Sequence, residues 1–174
     1  MKRVNILKEI INDKEYNKIV KDILENEKFK KIKEEKHHGL NRYDHSLKVS
    51  YKSYLYAKKY NLDYVSVARA GLLHDFFINN DLTKKEQKVS AFVHPYKSLE
   101  NSIKYFDLNK KEENIIISHM FPTIPHKIPK YKESYIVSII DKIIATKEFY
   151  QSYGKTKINK FANIYMILIT LIRK

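Results

Sequence analysis

YVSVARAGLLHD, residues 64–75, is the stretch on which the fold turns. It reads as a strongly apolar helix that follows a capping residue, Asp63, and ends on the adjacent pair His74 and Asp75. Gly71 in its middle costs about 1 kcal/mol relative to alanine, so its use predicts close packing against a neighbouring helix. An imidazole and a carboxylate are thereby carried deep into a helical bundle.

Helical patterns continue on both sides. Residues 5–35 read as one or two amphipathic helices, with Ile19, Val20, Ile23 and Leu24 as the apolar stripe and Asn12 with Glu15 as a start signal. A polar turn at Lys36–Gly39 precedes a helix that carries His45 in its first turn and runs to about Tyr60. Beyond the pair, residues 76–93 read as irregular, Pro95 as the first helical residue of a new helix with His94 at its entrance, and Leu99, Ile103 and Phe106 as its apolar face. Asn109 with Glu112 marks the start of a further helix that places Ile115 and His119 on one face. Three prolines within FPTIPHKIPKYK then impose a loop carrying His126, Lys127 and Lys130. A helix after Ser134 aligns Val137, Asp141 and Ile144, and a last one from about Lys155 includes the apolar run Phe161–Ile172, read as a core helix.

Composition narrows the class. At 174 residues with 43% apolar side chains, the chain is of the size of one domain, and three glycines and four prolines leave long uninterrupted segments for helices. An all-α single-domain bundle follows. The absence of cysteine excludes disulfides, thiolate ligands and cysteine nucleophiles, so any metal must be held by histidine and carboxylate. The N-terminus lacks the continuous apolar run of a signal peptide, and the twelve residues from Phe161 to Ile172 fall short of the roughly 20 that a bilayer needs. A soluble, cytoplasmic protein without a membrane partner is expected.

The net charge of +14 favours anionic partners, but of 34 cationic residues only Arg3, Arg42, Arg69 and Arg173 are arginines. Arginine suits bidentate phosphate and base recognition, and the lysines are interspersed with Glu and Asn as on solvated helix faces. A Lys-rich surface outweighs a dedicated nucleic-acid groove, although it helps to collect anionic substrates.

The chemistry lies in His45, His74, Asp75, His94, His119 and Asp141. A lone histidine near a helix start is ordinarily a cap or a surface residue. Asp141 is different: among Ile139, Ile140, Ile143 and Ile144, a buried unpaired carboxylate would cost several kcal/mol, which a metal partner removes. The same holds for Asp75 between GLLH and FFI. Imidazoles joined by carboxylates suit two borderline or hard divalent ions.

In this order, RYDHS, LLHD, VHPY, ISHM and IIDK resemble the signature of the HD-domain metal-dependent phosphohydrolase superfamily over about residues 40–150. The resemblance implies an all-α bundle and two metal ions, iron or manganese, with cobalt, nickel or zinc also compatible. It implies that His45, His74, Asp75 and Asp141 hold one ion, and that Asp75 bridges to a second ion bound by His94 and His119. A hydroxide between ions about 3.5–4 Å apart would then attack phosphorus, with Asp75 at the catalytic centre. The chain reads HDFFI where many relatives read HDIGK, so Ile78 replaces a lysine whose role does not transfer, and the GYP tripeptide of cyclic-di-GMP phosphodiesterases is absent. Similarity to small diadenosine tetraphosphate hydrolases makes a nucleotide or dinucleoside polyphosphate the expected substrate. Arg42, Lys48, Lys97, Lys127 and Lys142 are the candidate phosphate-binding cations, with Arg42 and Lys142 preferred because each flanks a proposed ligand.

Two other readings compete. Mixed-valent di-iron oxygenases of the same superfamily share the six-ligand order. A nucleic-acid-binding or regulatory module would keep the metal as a structural element. His37 and His38 read as surface residues of the polar turn, and His126 as a loop residue that could border the pocket.

Overall fold

The computed structural model describes residues 6–37 and 40–153, and the expected C-terminal helix from Lys155, with Phe161–Ile172, lies outside them. The architecture is all-α. Where the sequence predicts one or two helices over residues 5–35, three form: α1 (Ile6–Asn12), α2 (Lys14–Glu25) and α3 (Glu27–Lys30), followed by a 3-10 turn at Lys31–Glu34. Local caps make the breaks. Asp13, not Asn12, starts α2 by accepting from the Tyr16 amide at 2.9 Å, and Asn26 accepts from the Lys28 and Phe29 amides at 2.9 and 3.1 Å. The polar turn is a minimal hairpin, β1 (Lys36–His37) against β2 (Leu40–Asn41), antiparallel.

Asn41 then caps α4 (Arg42–Lys59) by accepting from the Asp44 amide at 2.7 Å, which fixes where His45 enters the bundle. Asp63 caps α5 (Tyr64–Leu73) through the Ser66 amide, as expected. α4 packs along α5 and α9 (Lys132–Tyr153), and α8 (Lys110–Ser118) closes against α5 and α9. Val20, Ile23, Val49, Val67, Leu72 and Ile115 are fully buried between these helices, at roughly 1.5–3 kcal/mol each. Polar groups inside the core are matched: the Tyr16 hydroxyl donates to Ser50 Oγ at 2.7 Å, and Ser50 donates to the Ala68 carbonyl at 2.6 Å, linking α2, α4 and α5.

Two close approaches set the geometry. A Cβ at Gly71 would lie 3.0 Å from the Ser50 Cα, so α4 and α5 touch backbone to backbone as the glycine predicts. Arg69, two residues earlier and so on a different face of α5, donates to both Asp22 oxygens at 2.8 Å and to Glu112 at 3.0 Å, joining α2, α5 and α8.

The segment between the central pair and His94 departs from expectation. A Thr83–Glu86 capping box starts α6 (Lys84–Lys88), so residues 76–93 are only partly irregular. α7 (Ser90–Tyr105) begins five residues before Pro95, which therefore lies inside the helix, and His94 sits in its second turn rather than at an entrance. Without an N–H, Pro95 leaves the fourth-preceding carbonyl, on Ala91, without its helical donor. Ile103 is exposed, whereas Leu99 and Phe106 pack against the core.

Gly71→Ala is expected to lower stability by about 1–2 kcal/mol, because the overpacking cost of about 1–3 kcal/mol outweighs the gain of about 1 kcal/mol in helix propensity. A urea midpoint that rises instead would contradict the backbone contact. Arg69→Ala strands the buried Glu112 carboxylate and should cost about 3 kcal/mol. Glu112→Gln in that background should recover part of the loss in the same denaturation measurement.

Candidate metal centre

Five helix segments deliver the six residues. His45 lies near the start of α4, His74 and Asp75 follow the end of α5, His94 lies in α7, His119 follows α8, and Asp141 is mid-way along α9. All are buried, His94 being the most accessible at 9%. Asp141 does face the interior, yet not as its neighbours suggest: Ile139 and Ile143 point outward at 56% and 47% exposure, and the buried face of α9 runs Ser134, Val137, Ser138, Asp141 and Glu148.

The hydrogen bonds at Nδ1 fix what each ring presents to the centre. His74 Nδ1 lies 2.8 Å from the Gly71 carbonyl, His94 Nδ1 2.8 Å from the Ser90 carbonyl, and His119 Nδ1 2.7 Å from the Ile116 carbonyl. A carbonyl only accepts, so each Nδ1 carries a proton and Nε2 is the nitrogen that each ring turns inward. Burial pushes the His94 imidazole below its ordinary pKa and His119 well below, which keeps both rings neutral.

The consequence is a set of converging acceptors. His94 Nε2 and His119 Nε2 stand 2.9 Å apart, with Asp75 Oδ1 at 3.3 and 3.7 Å from them. His74 Nε2 has no hydrogen-bond partner among the described residues, and faces Asp75 Oδ2 at 3.7 Å and Asp141 Oδ1 at 3.6 Å. Lone pairs and carboxylate oxygens at such separations repel one another unless they share a cation. The donor atoms fall into two groups that could each hold a metal ion, His45 with His74 and Asp141, and Asp75 with His94 and His119. Nitrogen and oxygen donors of this kind fit iron, manganese, cobalt, nickel or zinc. Asp75 turns Oδ1 toward one group and Oδ2 toward the other.

His45 is held differently. Its Nε2 lies 3.0 Å from Asp141 Oδ1 and its Nδ1 2.7 Å from Glu148 Oε2. Burial opposes its charge, but the two carboxylates outweigh burial and raise its pKa to about 10. Burial likewise opposes ionisation of Asp141, yet the adjacent Lys142 and the His45 bond hold it well below the ordinary carboxylate range.

A cavity of about 390 Å³ opens onto the cluster, lined by Asp75, His94, His119 and Asp141, by Arg42 and Lys142, and by Phe77, Met120 and Thr123 among others. Arg42 stands over the Phe77 ring, its guanidinium carbon 3.8 Å from the centroid; Nη1 donates to the Phe77 carbonyl at 2.7 Å and lies 3.6 Å from Glu35 Oε2, while Nε has no hydrogen-bond partner among the described residues. Phe77 in turn stacks on His94. Lys142 donates to the His119 carbonyl at 2.5 Å and lies 3.4 Å from Asp141 Oδ2.

The other expected phosphate-binding cations are engaged elsewhere, and none lines the cavity. Lys48 pairs with Glu148 at 2.9 Å, Lys97 pairs with Glu100 one turn along α7, and Lys127 sits 4.9 Å from the Tyr96 ring centroid. His126 hydrogen-bonds Tyr96 on the surface, and His37 lies in β1, whereas His38 falls outside the described residues. Glu148 and Phe77 escaped the sequence reading. The spacing of Glu148 seven residues after Asp141 was the available signal, because two helical turns return to the same face.

Residues 42–146, more than half of the chain, match the HD domain family. The chain belongs to the HD-domain metal-dependent phosphohydrolase superfamily. No curated protein and no solved structure matches it. Among the described residues no helix is long and apolar enough to cross a membrane.

Divalent manganese or cobalt at about 100 times its dissociation constant should raise the unfolding free energy by about 2.7 kcal/mol per bound ion. Thermal unfolding with and without the ion checks this, and indifference to every divalent metal tried would count against the shared-cation reading.

Proposed function

We propose that this HD-domain protein hydrolyses a phosphate ester or anhydride in a nucleotide or dinucleoside polyphosphate, using two metal ions, iron or manganese. The observation that carries this reading is the sharing of one cavity by two groups of converging donors and two cations, the buried Arg42 and the partly buried Lys142. His45, His74 and Asp141 would hold one ion, His94 and His119 the other, and Asp75 would offer one oxygen to each. Bound there, the metals would activate water and offset charge on the phosphate oxygens.

The chain's own residues do the rest. Arg42 is oriented before substrate arrives, because the Phe77 ring and carbonyl and the Glu35 carboxylate hold it in place, and its guanidinium on the cavity wall suits a phosphate oxygen. Lys142 balances Asp141 and places a second positive charge on the cavity wall. Phe77 and Met120 supply apolar surface for the remainder of the substrate, and the cavity volume, at the lower end of small-molecule sites, accommodates one nucleotide unit. Two cations beside the cluster favour an anionic substrate over the oxygenase alternative, and the confinement of the site within a cavity favours a small molecule over nucleic acid.

The test is phosphate release from mononucleotides, cyclic nucleotides and dinucleoside polyphosphates by protein loaded with manganese or ferrous iron. Asp75→Ala should lower turnover by more than about a hundredfold. Arg42→Ala should raise KM by about 10- to 100-fold with kcat little changed, as loss of a charge-assisted hydrogen bond predicts. Oxygen consumption without phosphate release from any nucleotide would replace this function with the oxygenase one.

A further inference from the structure

Glu148 is 4% exposed, far from any expected role, and the reaction as described makes no use of it. Its two oxygens are spent on one helix. Oε2 meets His45 Nδ1 at 2.7 Å, and Oε1 accepts from Lys48 Nζ at 2.9 Å, Lys48 lying one turn after His45 on α4. His45 and Lys48 thus grip a single carboxylate from α9, and that carboxylate stands two turns beyond Asp141, which meets the opposite nitrogen of the same ring at 3.0 Å.

The contrast with the other rings gives this contact its meaning. His74, His94 and His119 donate from Nδ1 to carbonyls three or four residues earlier in the chain, so their own helices orient them. His45 sends Nδ1 across to α9, to a residue 103 positions away. Its orientation is therefore a tertiary property. A carboxylate behind a ring also does more than a carbonyl does: it fixes the tautomer and makes the opposite nitrogen a stronger donor.

We propose that Glu148, held by Lys48, is the positioning residue of His45, delivering Nε2 to the group formed with His74 and Asp141 and strengthening that metal position alone. The proposal rests on the two-metal reading of the centre. It also reassigns Lys48, which braces the carboxylate instead of contacting substrate.

The test compares the full-length wild type with Glu148→Ala, Glu148→Gln and Lys48→Met by zinc titration and by nitrogen-15 NMR of the histidine rings. In Glu148→Ala one of two zinc equivalents should weaken by about 10- to 100-fold while the other holds. Glu148→Gln keeps an oxygen acceptor without the charge and should fall between wild type and Glu148→Ala, as should Lys48→Met. The His45 Nδ1 proton should be protected from exchange in the wild type and the Gln variant, and lost in the Ala variant. Equal weakening of both equivalents, or unchanged zinc binding in Glu148→Ala, overturns the proposal. If the wild type binds no zinc, manganese or cobalt, the two-metal reading fails separately, and survival of the protected Nδ1 proton in Glu148→Ala still overturns the positioning role.

Discussion

The site depends on one constraint, that a backbone carbonyl can only accept a hydrogen bond. By engaging Nδ1 of His74, His94 and His119, the Gly71, Ser90 and Ile116 carbonyls compel each ring to turn Nε2 to the interior, and burial keeps His94 and His119 neutral, so that theirs is a lone pair. Lone pairs aimed at carboxylates in a low-dielectric interior are unfavourable in any fold whose purpose is stability alone. Their convergence is thus stronger evidence for a shared cation than the count of histidines, because histidines gathered for packing would be free to choose tautomers that satisfy one another.

The rest of the bundle serves that convergence. The backbone contact at Gly71 brings α4 and α5 close enough for the His45 and His74 ring centroids to stand 5.5 Å apart, and a Cβ there would push them apart. Arg69, engaged by Asp22 and Glu112, fixes α5 against α2 and α8, and α8 ends on His119, whose ring centroid lies 4.9 Å from that of His74. Lys111 repeats the arrangement at the other end, bridging Asp63 and Glu133 between the starts of α5 and α9. The ion pairs sit where helices must keep register, which is how a chain with so many charges positions a small centre.

Sequence reading reached the parts of the fold governed by local rules. The caps at Asp63 and Asn109, the packing implied by Gly71 and the proline loop all follow from single-turn chemistry. It missed α6, because Thr83 with Glu86 forms a capping box over a helix too short to show a period, and it misplaced the start of α7, because Pro95 suits a first turn better than a second. Of the isoleucines around Asp141, Ile144 packs against the core whereas Ile139 and Ile143 face outward, so hydrophobic company alone does not mark burial, and the small residues Ser134 and Ser138 mark the inner face better.

The cations illustrate how far charge can be read from a sequence. Lys97 is neutralised by Glu100 three residues on, an ordinary helical spacing that was visible in the chain. Lys48 is neutralised by a residue 100 positions away, a pairing that no local pattern reveals. Arg42 and Lys142 remain at the cavity for a shared reason: each adjoins the acidic cluster in space, and each is anchored by a backbone carbonyl as well as by an acid, Glu35 at 3.6 Å for Arg42 and Asp141 at 3.4 Å for Lys142. A carbonyl holds a cation in place without cancelling its charge. Placement on the cavity wall with the help of such a carbonyl, and not the net charge of +14, separates these two side chains from the solvated ones of a lysine-rich protein.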